Sequence, residues 1–318
     1  MDCDPGHDDA CAIMLAGHNP HLELLGISTV MGNQTLQKTT MNALKVLAIS
    51  GLDDIKVVPG QAKPLIETLA VCPEIHGDSG LETAKESFPD VQIKEPVQQK
   101  AIIYMNQVFS KTEGKITIIA TACLTNIALL LTVFPEVKEK IEEIVILGGA
   151  MGIGNMGPVM EWNIMVDPHA AKIVLESGLK IVLIPLEVTH TCLVTEAILD
   201  RIKAMQSPFS RLLVSLLTFF AETYQKTFNF SSPPLHDPLA VAYAIDPSLF
   251  ETLFTRVDIE VESKLSKGQT VCDIYLMGKK ELRNVHLATK VDVNKFWDLM
   301  FDAWNTTNNL SSLNKSKL

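Results

Sequence analysis

Three short runs in the middle of the chain restrict its fold more than any other feature: residues 115–120 (KITIIA), 143–147 (EIVIL) and 180–186 (KIVLIPL). Each is continuously apolar rather than alternating, and stretches with helical spacing separate them at 126–134 and 169–176. A strand that is apolar on both faces needs cover on both faces, and helical crossovers return successive strands in the same direction. The pattern predicts an α/β fold: a single-domain, open, mostly parallel β-sheet flanked by helices. Strand signals at 22–30 and 56–58 extend the sheet toward the N-terminus. Runs at 255–260 and 270–276, joined by a Lys/Ser/Gly loop, predict a small antiparallel addition near the C-terminus. A last helix through Phe296, Trp297, Met300 and Trp304 closes a domain spanning 1–306, followed by a polar, frayed tail at 307–318.

Right-handed crossovers place the C-terminal ends of all parallel strands on one edge, where open α/β sheets bind ligands. The polar groups that should meet there are Asp2 to Asp9, Asn33, Thr121, the loop 148–163 and residues 187–190. The densest cluster is Asp2-Cys3-Asp4-Pro5-Gly6-His7-Asp8-Asp9, with four carboxylates in eight residues. Like charges that close cost free energy unless a cation gathers them, and oxygen-only donors suit a hard divalent ion. Pro5-Gly6 forces a turn, and Ala10, Ala12, Ile13, Leu15 and Ala16 continue as a helix with its acids at the positive end. The plain alternative is an acidic cap on a surface helix.

Other motifs are less specific. Gly152, Gly154 and Gly157 spell a GxGxxG, but Pro158 follows at once, whereas a dinucleotide fingerprint needs its third glycine inside a helix. Glu161-Trp162-Asn163 offers an acceptor, a flat ring and an amide, suited to a sugar and a base; alternatively Trp162 is core and Glu161 solvated. His236-Asp237 reads either as a functional pair or as a helix cap. The stretch 75–95 is a polar loop long enough to act as a lid. His18, His21, His169 and His286 read as surface or satisfied histidines, while His190 lies close to the ligand edge.

A net charge of −10 without a basic patch argues against nucleic acid or anionic membranes as partners. Six scattered cysteines without a CxxC pair, no leader and no long apolar span give the expectation of a cytosolic protein with reduced thiols.

In number and order these motifs resemble the inosine–uridine-preferring nucleoside hydrolases over nearly the whole chain. The segments that carry the resemblance are Asp2-Cys3-Asp4-Pro5-Gly6-His7-Asp8-Asp9, Gly32-Asn33, His76-Gly77-Asp78-Ser79-Gly80-Leu81, Leu124-Thr125-Asn126-Ile127-Ala128, Gly148-Gly149-Ala150, Glu161-Trp162-Asn163 and Leu235-His236-Asp237-Pro238. The first octet and Ile75-His76-Gly77 look most like the fungal uridine-hydrolysing branch.

The resemblance implies the Rossmann-like fold of that family and calcium-dependent hydrolysis of ribonucleosides, of the uridine or inosine type, in salvage or catabolism. It implies a Ca²⁺ held by Asp4, Asp9, the Thr121 carbonyl and Asp237, with Asp4 also the general base toward water. By the same carry-over, Asp8 and Asn33 hold the ribose 2′- and 3′-hydroxyls. Asn155, Glu161 and Asn163 hold its 5′ side, with Trp162 in the place of the family's phenylalanine. His236 matches the residue that protonates the departing base, and His76 lies in the loop that closes over it. The family likeness further implies a homodimer or homotetramer.

Three departures stand out. Met1 directly precedes Asp2, where the family carries an apolar strand; Leu147 replaces a common methionine; and Ala122-Cys123 replaces a Gly-Pro pair. The chemistry agrees with these residue types: metal-activated water, hydroxyl clamps and an acid for the leaving group address separate parts of an N-glycosidic barrier. The first departure leaves a second reading, a nucleoside-binding protein without turnover. A magnesium phosphohydrolase is a third, disfavoured because the motif loops offer no basic residue for phosphate.

Overall fold

A computed structural model describes residues 1–85 and 87–315. Ten strands are present among them: β1 (Asp2–Cys3), β2 (Ile27–Thr29), β3 (Val57–Pro59), β4 (Ile116–Ala120), β5 (Ile141–Leu147), β6 (Ile181–Ile184), β7 (Phe250–Thr255), β8 (Val257–Ile259), β9 (Thr270–Cys272) and β10 (Val285–Val291). Eight of them form one sheet in the order β3-β2-β1-β4-β5-β6-β10-β7. All neighbours in it pair parallel except β7, which runs antiparallel to β10 at the edge. The apolar runs 115–120, 143–147 and 180–186 occupy the centre as β4, β5 and β6, in register at Ile118↔Ile144 and Ile144↔Ile181.

The C-terminal half of the sheet departs from the expectation. The run 255–260 straddles two strands: β7 ends at Thr255 in the large sheet, and β8 pairs antiparallel with β9 as the small addition. β7 and β10 alternate with exposed residues such as Glu251 and Lys290, so neither carries the uninterrupted apolar signal of a central strand.

Twelve α-helices among the described residues surround the sheet: α1 (His7–His18), α2 (Leu36–Ser50), α3 (Pro73–His76), α4 (Ala101–Lys111), α5 (Thr125–Val133), α6 (Trp162–Val166), α7 (Pro168–Leu175), α8 (Leu186–Thr189), α9 (Glu196–Lys203), α10 (Pro208–Phe228), α11 (Pro238–Ile245) and α12 (Val293–Leu310). On one face α1, α2, α10, α11 and α12 pack over Cys3, Ile119, Val145 and Val182. On the other, α4, α5 and α7 pack over Ile118, Ile144, Ile146 and Leu183. Adjacent residues thus point into opposite cores, which is why the strands are apolar throughout. No described helix is long and apolar enough to cross a membrane.

Two expectations about the chain's ends are corrected. The strand expected to be lacking ahead of the acids is present as a two-residue β1, bonded on both sides, to β2 through Ser28 N–H to Met1 O (2.9 Å) and to β4 through Thr121 N–H to Asp2 O (2.9 Å). The Asp2 carboxylate reinforces it by accepting from Ser28 Oγ and from Asn126 Nδ2 (2.8 Å). At the other end, α12 runs through position 306 to Leu310, so the tail begins later than read from the sequence. Nor is its first part frayed, because Ser311 and Ser312 donate to Ile49 O (2.6 Å) and Ala48 O (2.8 Å). Residues 316–318 lie outside the described ones.

Candidate active site

At the C-terminal end of β1 the chain turns through Pro5-Gly6 into α1, and this turn delivers Asp4, Asp8 and Asp9 to one buried volume. Asp237, in the turn before α11, joins them: carboxylate oxygens of Asp8, Asp9 and Asp237 lie within 4.8 Å of one another. Neither plain capping reading accounts for this group. Asp237 makes no side-chain cap bond to α11, and α1 is buried rather than superficial, although Asp9 does accept from Gly6 N–H at its N-terminus (3.0 Å).

Asp4 sits beside the triad. Its Oδ2 accepts from Asn33 N–H (2.6 Å), and Asn33 Nδ2 donates to Asp4 O (3.1 Å) and Asp9 Oδ2 (3.2 Å). Asp9 Oδ1 accepts from Thr121 Oγ1 (2.8 Å). Gly32 is a glycine because a Cβ there would lie 1.9 Å from Asp4 Oδ2. Burial, reinforced by mutual repulsion, raises Asp4 and Asp237 well above the usual carboxylate range and pushes Asp8 up to about 7; burial also raises Asp9. Asp8 Oδ1 and Asp237 Oδ2 are buried without a hydrogen-bond partner among the described residues.

The same pocket is lined by Asn33, His76, Thr121, Asn155, Glu161, Trp162, Asn163 and His236. Every residue singled out from the sequence for substrate or metal therefore lies at the pocket, or in the case of Asp4 and Asp9 buried beside its acidic wall. Their bonding differs in detail from the roles implied by resemblance. The tight carboxylate triad includes Asp8 rather than Asp4. Glu161 caps α6, with its two oxygens accepting from Asn163 N–H (2.9 Å), Ile164 N–H (3.2 Å) and Gly149 N–H (2.8 Å). Asn163 Nδ2 donates to the carbonyls of Thr121 (3.0 Å) and Leu147 (3.3 Å), which leaves the second lone pair of Thr121 O for another partner. Asn155 Oδ1 accepts from Trp162 N–H (2.9 Å). Trp162 is buried, yet its Nε1 has no partner among the described residues.

The GxGxxG loop is no phosphate cradle. Glu187 takes the N–H groups of Met151, Gly152 and Ile153 (2.9, 2.8 and 3.1 Å), and Gly154 N–H goes to Pro158 O (3.1 Å). Backbone donors committed in this way are closed to an anion.

His236 is held by both ring nitrogens. Nδ1 lies 2.7 Å from Thr189 Oγ1, and Nε2 lies 2.8 Å from the phenolic oxygen of Tyr224 on α10. Thr189 donates its proton to Leu186 O (3.1 Å), so it accepts from His236 Nδ1–H and leaves Nε2 to accept from Tyr224. Burial lowers His236 to about 3 and raises Tyr224 well above the usual phenol range, so both are neutral near pH 7. His190 stands edge-on to the His236 ring, centroids 5.7 Å apart. Tyr224 was not singled out from the sequence, and Thr189 only as part of the strand-end stretch 187–190. Tyr224 falls on the apolar stripe of a long helix, where a hydroxyl among Phe220 and Phe228 was the one available signal.

The family model for inosine-uridine preferring nucleoside hydrolases matches residues 1–298. The chain is 45% identical over 317 residues to a probable ribonucleoside hydrolase of Dictyostelium discoideum, covering 95% of this chain and 93% of the relative. It is 40% identical over 304 residues to the pyrimidine-specific ribonucleoside hydrolase RihA of Escherichia coli O1:K1 / APEC, with 95% and 96% covered. Among solved structures, the purine-preferring ribonucleoside hydrolase of Gardnerella vaginalis superposes with a TM-score of 0.89 at 30% identity, covering 97% of this chain and 98% of that one. With that match over nearly its full length and the shared fold, the chain belongs to the inosine-uridine preferring nucleoside hydrolases, a family of enzymes.

Proposed function

We propose that this enzyme cleaves the N-glycosidic bond of ribonucleosides of the uridine or inosine type, releasing ribose and free base, with a calcium ion at the acid cluster. The observation that carries this reading is the meeting, in one pocket, of a buried carboxylate triad with the neutral Tyr224–His236 pair. The residues fit a hard cation: the donors are all oxygen, and two of them, Asp8 Oδ1 and Asp237 Oδ2, are buried and unpartnered among the described residues. Asp4, Asp9, Asp237 and the free lone pair of Thr121 O would hold the ion, with Asp8 adjoining. When bound it would supply a Lewis acid that eases deprotonation of water.

The chain's own groups do the rest. Asp4, fixed by the N–H of Asn33, takes the proton of the attacking water as its oxygen bonds to C1′ and the C1′–N bond breaks. The Tyr224–His236 pair holds the proton that the departing base receives. Asn33, Asn155 and Asn163 keep side-chain amide atoms for ribose hydroxyls, and the buried ring of Trp162 excludes water beside them. Direct attack inverts the anomeric centre. The reading of a nucleoside-binding protein without turnover rested on an absent first strand, whereas β1 is bonded to both of its neighbours; release of free sugar decides between the two.

Free base and ribose as products suit nucleoside salvage or catabolism, and the buried free thiols of Cys3, Cys11, Cys72, Cys123 and Cys192 suit a reducing cytosol. A homodimer or homotetramer is proposed with them and is read by light scattering. The activity test is reducing-sugar release from uridine and inosine, with and without excess EDTA. Release that stops with EDTA and returns with Ca²⁺ is the expected result; turnover indifferent to EDTA removes calcium from the proposal, and no release from either nucleoside removes the reaction.

A further inference from the structure

We propose that His7 is a positioning residue for base recognition, one that fixes His76 in the tautomer whose Nε2 presents a bare lone pair to the pocket. The inference rests on the nucleoside reading above and adds to it the element that orients one pocket wall.

The argument is a count of protons. His7 Nε2 lies 2.8 Å from the carbonyl oxygen of Glu82. A carbonyl only accepts, so this nitrogen carries the hydrogen. The His7 ring is buried against the rings of Phe219 and Phe220 and has no hydrogen bond to a carboxylate among the described residues, so it stays neutral, with Nδ1 bare. His7 Nδ1 lies 3.1 Å from His76 Nδ1. Two bare ring nitrogens at that separation would repel, so the hydrogen between them belongs to His76. The His7 backbone N–H also approaches His76 Nδ1, at 3.4 Å, the outer limit of a hydrogen bond, and is the weaker claimant on that atom. Neutral His76 with its hydrogen on Nδ1 has none on Nε2. Nε2 makes no hydrogen bond among the described residues, and His76 lines the pocket.

Three further features hold the pair rigid. The His7 ring stacks on His76, Phe219 and Phe220 at centroid separations of 5.3, 5.4 and 5.4 Å, with interplanar angles of 21°, 13° and 11°. His76 stacks in turn on Phe220 at 5.6 Å. Gly6 permits the approach, since a Cβ there would lie 2.5 Å from His76 Nδ1. The histidine beside the acid cluster thus belongs to the base side of the pocket rather than to the metal.

A fixed acceptor selects for a base edge that donates. Uracil offers N3–H and hypoxanthine N1–H, whereas cytosine and adenine carry a lone pair at the equivalent ring position. A bare nitrogen facing a bare nitrogen loses the hydrogen bond and leaves both unpaired. His7 therefore bears on the uridine-to-cytidine ratio without touching the substrate.

The test combines ¹⁵N spectra of the histidine side chains with kcat/KM for uridine and cytidine, in the wild type, His7→Phe and His7→Asn. Phe keeps the ring stack and removes both hydrogen bonds; Asn places an acceptor oxygen near the site of Nδ1. His76, assigned with His76→Gln, should show a bare Nε2 in the wild type and in His7→Asn, and a mixture of tautomers in His7→Phe. The uridine-to-cytidine ratio should fall about tenfold in His7→Phe, the scale of one neutral hydrogen bond, and hold in His7→Asn. A wild-type His76 with hydrogen on Nε2, or a ratio unchanged in His7→Phe, overturns the proposal. If no nucleoside is cleaved at all, the nucleoside reading fails instead, and the spectra still decide the tautomer.

Discussion

The phenolic oxygen of Tyr224 lies 2.8 Å from Nε2 of His236, joining the C-terminal part of α10 to the turn before α11. The proposed proton delivery depends on this bond. His236→Ala should lower kcat on uridine by about 10²- to 10⁴-fold with little change in KM, the range for loss of a general acid. Tyr224→Phe removes the hydroxyl whose proton Nε2 accepts, so it should cost a comparable factor. Neither variant should matter for 4-nitrophenyl riboside, whose leaving group departs without a proton. Equal losses on both substrates would assign the pair a structural role.

Calcium should bind and stabilise the protein whether or not turnover is followed. A ligand at 100 times its Kd adds about 2.7 kcal/mol to stability, enough to raise the melting temperature by several degrees in a chain of this size. Calorimetric melting of the EDTA-treated protein, with and without Ca²⁺, measures it. Asp237→Asn removes one charged oxygen from the triad and should abolish the shift. A melting temperature insensitive to Ca²⁺ in the wild type would contradict the assignment.

Gly32 presses against Asp4, since an added Cβ would lie 1.9 Å from its Oδ2. Gly32→Ala should therefore push that carboxylate off its bond to Asn33 N–H while leaving the sheet intact. A displacement of about 1 Å at a reacting group is worth about 10²-fold in rate, so kcat/KM should fall by that order with far-UV circular dichroism unchanged. Near-normal activity in this variant would remove Asp4 from its role as base.

What could be read in advance divides along a physical line. The central strands declared themselves because parallel strands buried on both faces have no polar alternation, as in 143–147 and 180–186. The acid cluster declared itself because four carboxylates in eight residues have few uses. β7 and β10 did not, since their exposed residues at the sheet edge give no apolar run. His7, Thr189 and Tyr224 did not, because each acquires its role through a partner 69, 47 or 12 residues away. Glu161 shows a third case: its position was legible, but not that three backbone N–H groups would occupy its carboxylate.

Asn126 joins three strands' ends, donating to Asp2 Oδ1 (2.8 Å) and Thr29 O (3.0 Å) and accepting from Gln61 N–H (2.9 Å). Asn126→Ala would leave these groups buried with fewer partners. At about 1–3 kcal/mol for each stranded group, partly relieved by water, a loss of about 2–4 kcal/mol is expected in urea unfolding. A loss below about 1 kcal/mol would mean that β1 is held by its backbone bonds alone.

Glu161 supplies the pH test. Burial pushes its pKa from 4.5 up to about 7, against three backbone N–H donors that pull it down. In the unfolded chain the group ionises near 4.5 and in the folded one near 7, so between those values folding takes up a proton. Stability then falls as pH rises through that window, by at most about 3 kcal/mol, and is flat with respect to this group on either side. Glu161→Gln carries no such dependence, although it loses an acceptor for one of the three donors and is destabilised by a constant amount. The wild type should therefore hold its largest advantage over Glu161→Gln below pH 5 and lose part of it by pH 8 in paired denaturant titrations. A difference that stays constant, or grows with pH, would show that the three N–H donors outweigh burial and keep the carboxylate ionised in the folded protein.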